Sequence, residues 1–260
     1  WLKDLVALGA VVGVTYFAVF RLAVKPKRLT ASWEALLILG FIGMLMVTEY
    51  FFGASHLQAW TSTEPVTSVV YLATRGLSPE ARHTLGMVGF WIHLTIIVTF
   101  LNFLPHGKHF HVVVGLVNVF MKRLTPAGVS SSAKLPTPDL EKEEFGAKVI
   151  TQLSWKQGLD VNTCTECGRC QTHCPTYITG KPLTHKGVNQ ALKHFLWDHE
   201  KQLSTVKKKE DGTFAWTGKD GAEAEVPPLV AAEGGVLSAD TVWACTTCGW
   251  CETACPVFIE

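Results

Sequence analysis

The run Cys164-x-x-Cys167-x-x-Cys170-x-x-x-Cys174-Pro175 recurs as Cys245-x-x-Cys248-x-x-Cys251-x-x-x-Cys255-Pro256. Three thiolates at three-residue intervals can be gathered by one tight loop toward a single point, which suits one corner of an iron–sulfur cubane. The fourth cysteine is displaced, and in two-cluster ferredoxins a cysteine so placed ligates the other cluster. The spacing therefore assigns Cys164, Cys167, Cys170 and Cys255 to one [4Fe–4S] cluster, and Cys245, Cys248, Cys251 and Cys174 to a second. The prolines turn the chain away after the last ligand of each run. Zinc also accepts four thiolates, but structural zinc sites pair two Cys-x-x-Cys knuckles rather than runs of four that end in Cys-Pro.

All eight cysteines of the chain lie in these two runs, after residue 160. A disulfide scaffold would space them irregularly in a small secreted fold. Gly168 and Gly249 sit at the same place in each run. Both are expected to allow close backbone approach, so that amides can donate to cluster sulfurs, and to provide the turn itself. A net charge of +1 gives no reason to expect nucleic acid as a partner.

The second set of chemically capable residues is His56, His83, His93, His106, His109 and His111, all in or beside long apolar runs. Ionisable groups within a membrane are costly and mark function by default. His93 and His111 are eighteen residues apart, which on one helix is five turns. Both imidazoles would then share a face, ~27 Å apart along the axis, one toward each membrane surface. Such a pair could ligate two haems. Pro105 lies between them and should kink the helix. His83 reads as an interfacial residue, while Lys108 and His109 could meet a haem propionate or a quinone oxygen, or simply snorkel.

The elements that must position these groups follow from hydropathy. Crossing a bilayer core takes about 20 mostly apolar residues, and 5–20 (extended by Trp1 and Leu2), 33–53 and 85–104 are the candidates. A further apolar stretch, 112–121, follows Pro105. Arg21, Lys25, Lys27 and Arg28 in the first connection against Arg75 alone in the second put the first connection in the cytoplasm. The cysteine half then also lies in the cytoplasm, where thiols stay reduced. Residues 128–139 read as a Ser/Pro/Thr-rich linker, 140–153 and 186–199 as helices, and 214–226 as a hairpin turning at Lys219-Asp220-Gly221. The expected fold class is mainly α: a transmembrane helical bundle over 1–125, a linker over 126–139 and an α-helical ferredoxin-like domain over 140–260. The start at Trp1 and the stop at Glu260 are expected to be truncations.

His93, Pro105 and His111 together resemble the last membrane helix of the nitrate reductase gamma subunit, a dihaem cytochrome b. The twin cysteine runs resemble the iron–sulfur subunits of heterodisulfide reductase and glycolate oxidase. A chain that fuses both resembles the membrane-bound electron-transfer-flavoprotein:menaquinone oxidoreductases of bacteria. That resemblance implies a bacterial cytoplasmic-membrane oxidoreductase with two b haems, taking electrons from electron-transfer flavoprotein or another cytoplasmic redox partner and passing them to menaquinone. The competing expectations are a quinol-oxidising disulfide- or sulfur-pathway reductase, and a membrane-anchored ferredoxin that only relays electrons. Two departures stand out. No histidine occurs between Trp1 and Glu49, leaving His56 as the internal substitute for a second axial ligand, and the chain lacks the Cys-Cys-Gly motif of the relatives' catalytic domain.

Overall fold

The computed structural model describes residues 1–26, 29, 32–106, 109–122, 124 and 146–260. Lys27, Arg28, Lys108, Arg123, the linker expected at 126–139 and the first part of the helix expected at 140–153 lie outside the described residues. The chain divides into two units, Trp1–His109 and Phe110–Glu260.

In the first unit, α1 (Leu2–Val19) runs on through a π-helical turn, Phe20–Val24, and is followed by α2 (Trp33–His56), α3 (Pro65–Thr74) and α4 (Pro79–Phe103). Sequence sets the helix starts. Ser32 and Ser78 cap α2 and α4 by accepting from the Ala35 and Ala81 amides, and Pro65 and Pro79 occupy first-turn positions where no amide donor is needed. Leu2–Val24, Trp33–His56 and Pro79–His106 are each long and apolar enough to cross a bilayer. Their outward faces carry Val12, Phe17, Val98 and Leu101, exposed side chains that suit a lipid solvent.

α2 is the hub of this unit and packs against α1, α3 and α4. It approaches α4 closely because two glycines stand at the crossing. A Cβ at Gly86 would collide with the Ser55 side chain, and one at Gly89 would sit 3.3 Å from the Thr48 carbonyl. The α1, α2 and α3 ends are tied by a polar knot that hydropathy does not reveal. Asp4 is only 2% exposed. Its carboxylate accepts from the Val66 amide at 2.6 Å, the Thr67 amide at 3.1 Å and the Thr67 hydroxyl at 2.6 Å, capping α3 from another helix. Tyr50 Oη donates to the Asp4 carbonyl at 2.6 Å, and an exposed Lys3–Glu49 ion pair closes at 2.7 Å beside it.

The expected five-turn register of His93 and His111 is not carried by one helix. α4 ends at Phe103, Leu104–His106 forms a 3-10 turn, and a new helix, α5 (Phe110–Phe120), begins in the second unit. Pro105 has no amide to continue the ladder and its ring excludes the preceding helical carbonyl, so it ends the helix instead of bending it.

The second unit is built from α5, a 3-10 turn at Ile150–Gln152, α6 (Trp155–Thr163), α7 (Arg169–Thr172), α8 (Pro175–Ile178), α9 (His185–Asp198) and α10 (Glu200–Leu203). Then come β1 (Lys207–Lys208), β2 (Phe214–Thr217), β3 (Glu223–Glu225), β4 (Val230–Ala231), β5 (Leu237–Ser238), α11 (Ala239–Trp243) and α12 (Trp250–Thr253). The expected hairpin is β2–β3, antiparallel with Trp216 opposite Ala224, and Gly221 takes the left-handed turn position. β1 extends it to a three-stranded sheet. The helix expected over 140–153 does not run through its described part. Gly146 is left-handed at φ +73°, and the Gln152 side chain captures the Lys148 and Val149 amides, leaving only the short 3-10 turn.

The core of this unit gathers Val149, Trp216 and Val226, with Phe195 and Phe214 against them. His199 stacks between Phe195 and Trp216, with centroids at 4.5 and 5.2 Å. Apart from Val149, this layer comes from the segment between the cysteine runs. α5 packs on α6 in spite of its apolar sequence, anchored by Asn118. That side chain is fully buried and donates to Asp160 Oδ1 at 2.9 Å and to the Val257 carbonyl at 3.0 Å.

The Asp4 knot gives a direct test. Asp4→Ala strips two buried α3 amides of their acceptor and should cost about 1–3 kcal/mol. Lys3→Met removes only an exposed pair, worth less than about 1 kcal/mol. Thermal unfolding in detergent should show a clearly lower midpoint for the first variant than for the second. Equal midpoints would mean that the cap adds nothing.

Candidate metal centre

Each cysteine run is a loop followed by a short helix, and its shape is fixed by two left-handed steps. In the first run Glu166 (φ 54°) and Gly168 (φ 72°) take these positions. In the second they are Thr247 (φ 52°) and Gly249 (φ 73°). The alternation curls the backbone around the ligand positions, and in the first run Cys164, Cys167 and Cys170 all face one cavity. The glycine then begins α7 in one run and α12 in the other. Glycine adopts this conformation at no steric cost.

Cys164, Cys167, Cys170, Cys251 and Cys255 all line one cavity of about 330 Å³. Cys255, the last cysteine of the second run, thus stands with the first three of the first run. At the other end of the exchange, Thr176 Oγ1, two residues beyond Cys174, donates to the carbonyl of Ala244, the residue before Cys245, at 3.0 Å. His173 packs edge-on against Trp250 at 5.1 Å, again joining the end of the first run to the second. Backbone amides already point at sulfur: Thr247 N–H to Cys245 Sγ and Ile259 N–H to Cys255 Sγ, both at 3.4 Å.

Burial shapes the chemistry. It pushes the Cys170 thiol up to about 11, with the neighbouring Cys164 and Cys167 adding to the shift. Burial likewise lifts Cys251 to about 11 and raises Cys255. These groups are neutral thiols until a metal takes the place of their protons, as thiolate ligation requires. Cys245 and Cys248 differ, being exposed. Among the described residues no three Cys, His, Asp or Glu groups converge closely enough for a single metal ion. Five thiols spread around one cavity can instead supply the four that a cubane needs, each sulfur binding a different iron.

The cavity wall also contains His185, lowered by its burial, and Asp160. Burial raises the Asp160 carboxyl, and the Lys156 ammonium at 2.8 Å and Asn118 oppose the shift. Neither Asp160 nor its anchor Asn118 stands out by motif. A lone amide in the apolar stretch 112–121 was the available signal for Asn118.

In the first unit His93 lies on α4 facing α2. Its Nδ1 is 3.1 Å from the Leu45 carbonyl and 3.1 Å from Thr48 Oγ1. A carbonyl only accepts, so Nδ1 carries the proton in that bond and Nε2 keeps its lone pair. This is the arrangement of a metal-binding histidine held by a backbone carbonyl. His56 Nδ1 similarly meets the Phe52 carbonyl at 2.9 Å. His56, however, is eight residues beyond Thr48, or about 12 Å further along α2. The two imidazoles stand at different depths and do not bracket one iron. His111 lies in the first turn of α5 in the second unit and His109 at the last position of the first.

Residues 160–259 match the model of the 4Fe-4S dicluster domain. With three span-length helices in the same chain, this defines a membrane-associated iron–sulfur protein of electron transfer, carrying two [4Fe–4S] clusters. The expected family resemblance extends along the whole chain. It is 29% identical over 275 residues to the probable iron-sulfur-binding oxidoreductase FadF of Bacillus subtilis, covering 99% of this chain and 39% of that protein. It is also 29% identical over 278 residues to the EtfAB:quinone oxidoreductase of Syntrophomonas wolfei, covering 100% and 38%. A probable membrane-anchored ferredoxin of Chromohalobacter salexigens is 32% identical over 142 residues, 51% of this chain and 20% of that protein. The chain spans less than two-fifths of the length of the first two relatives. No solved structure matches it.

Ligand exchange between the runs is open to a direct assay. Cys255→Ser should degrade the cluster of Cys164, Cys167 and Cys170, and Cys174→Ser the cluster of Cys245, Cys248 and Cys251. Iron counts and the spectra of the reduced protein would report which cluster is lost. Loss of the cluster nearest in sequence to each substitution would overturn the exchange.

Proposed function

We propose that this chain is the electron-carrying part of a membrane-bound electron-transfer-flavoprotein:quinone oxidoreductase. Electrons would enter from a cytoplasmic donor and leave to menaquinone. The observation that carries this reading is similarity along the full chain to a relative named for that activity, covering both the apolar helices and the cysteine runs. The four thiols Cys164, Cys167, Cys170 and Cys255 would hold one cluster, and Cys245, Cys248, Cys251 and Cys174 the other. Bound clusters and b haems supply one-electron carriage between two-electron partners, and the protein supplies their ligation, spacing and burial.

What supports a haem in the first unit is the His93 geometry. Leu45 and Thr48 hold Nδ1, leaving Nε2 available, and Gly86 and Gly89 bring α4 against α2 one and two turns earlier on the same face. His111 is the proposed ligand of a second haem, and Lys108 and His109 are proposed neighbours of haem or quinone. The basic residues Arg21 and Lys25 at the end of α1, against Arg75 alone in the connection from α2 to α4, favour a cytoplasmic dicluster domain. A second reading, a membrane-anchored ferredoxin relay, is favoured by the relative that bears that name and covers half of the chain.

Two measurements separate these readings. His93→Ala should remove one of the two proposed b haems from the absorbance spectrum while leaving about eight irons per chain, as two cubanes require. A wild-type protein without b haem would reduce His93 to a packing residue. In the full-length protein, reduced electron-transfer flavoprotein should reduce the haems and a menaquinone analogue should reoxidise them, while Cys167→Ala should leave the haems oxidised. If menaquinol reduces the haems and a disulfide drains them, the reductase reading replaces this one. If no quinone reacts, the relay reading does.

A further inference from the structure

The two cysteine runs superimpose as a pattern, which makes their differences informative. Ligands, glycine and proline recur, and so does the left-handed step before the second cysteine: Glu166 at φ 54° and Thr247 at φ 52°. The backbone is therefore matched at this position while the charge is not. One run places a carboxylate between its first two ligands and the other places a neutral hydroxyl.

The surroundings widen that difference. Glu166 lines the cavity shared by Cys164, Cys167, Cys170, Cys251 and Cys255, and its Oε2 accepts from Gln190 Nε2 of α9 at 2.9 Å. Glu252, Glu260 and Lys186 line the same wall, as does Asp160, which pairs with Lys156. In the second run Thr247 is exposed, as are its neighbours Cys245 and Cys248, so water reaches that site.

A cubane held by four thiolates gains one negative charge on reduction. A fixed carboxylate beside it raises the energy of the reduced state, and the effect grows where water is excluded. Hydration of an exposed cluster lowers the energy of its reduced state. Charge and solvent act in the same direction here. We propose that Glu166 holds the cluster of the first run at a lower reduction potential than the cluster of the second, so that an electron shared between them rests on the Cys245–Cys248 side. This inference rests on the dicluster reading and adds an order to it.

The test is a redox titration of the full-length protein, purified anaerobically and reduced stepwise with dithionite through mediators. Each cluster takes up one electron and is followed by its paramagnetic signal. Two potentials are expected. Glu166→Gln should raise the lower one by at least a tenfold change in its reduction equilibrium, about 59 mV for a one-electron couple, and leave the higher one in place. Thr247→Glu should lower the higher one by a comparable amount. If Glu166→Gln moves neither potential, or moves only the higher one, with iron content unchanged, the inference is overturned. Should Glu166→Gln fail to load iron, Thr247→Glu at its exposed site decides, and no downward shift overturns the proposal. Four irons per chain in the unaltered protein would instead overturn the dicluster reading, and the inference with it.

Discussion

The second unit depends on one constraint: the last cysteine of the second run must reach the cavity built by the first. Cys255 does so, lining the cavity with Cys164, Cys167 and Cys170. The two runs are about eighty residues apart in sequence, and closing a loop of that length costs entropy that must be repaid by contacts. The intervening segment provides them. Its stack of Phe195, His199 and Trp216 and its three-stranded sheet form the unit's hydrophobic layer. Thr176 is bonded to the Ala244 carbonyl at the point where the chain returns. Asn118 then ties Asp160, four residues before the first ligand, to Val257, two residues after the last. One amide side chain on α5 thus holds both ends of the motif pair.

The parts legible in the sequence are those governed by local rules. Cysteine spacing identified the dicluster domain because ligation needs particular residues at particular intervals. Hydropathy located the three long helices because a bilayer sets their minimum length. Lys219-Asp220-Gly221 marked the hairpin because a left-handed turn favours glycine. What escaped was set by tertiary contact. Asp4 is a charge at the head of an apolar run, with no motif to mark it, yet it is buried as the cap of a helix some sixty residues away. The helix over 140–153 followed from amphipathic periodicity, which cannot register that Gln152 takes the Lys148 and Val149 amides for a 3-10 turn. Eighteen-residue spacing placed His93 and His111 on one helical face, and it carried no information about whether the helix survives Pro105.

Within the first unit, two polar clusters stand where helices meet, one at Asp4 and one at Thr48 and His93. Thr48 and His93 face one another across the α2–α4 contact, one turn from Gly89. Thr48 also donates back to the Met44 carbonyl at 2.8 Å, so its hydroxyl is satisfied within its own helix while its oxygen remains near the imidazole. A histidine in an apolar bundle is costly unless its ring nitrogens find partners. Here α2 supplies a carbonyl and a hydroxyl to one nitrogen only.

Repetition in the second unit supports the same kind of argument. The two runs keep every residue that the loop geometry demands: four cysteines, the glycine that starts the short helix, the proline after the last ligand, and a non-glycine residue in the left-handed region. They differ at the positions that geometry leaves free, Glu166 against Thr247, Arg169 against Trp250, Gln171 against Glu252, and His173 against Ala254. A repeat under structural demand alone has no cause to differ in charge at matched backbone positions. The first run carries Glu166 on the cavity wall, and the second, whose Cys245 and Cys248 meet solvent, carries Thr247 at that position, Glu252 further on and a tryptophan packed against His173. Matched scaffolds with unmatched surroundings make two sites that hold the same cofactor but give it different electrostatic environments, and for an electron carrier that environment, with the ligands fixed, sets the driving force.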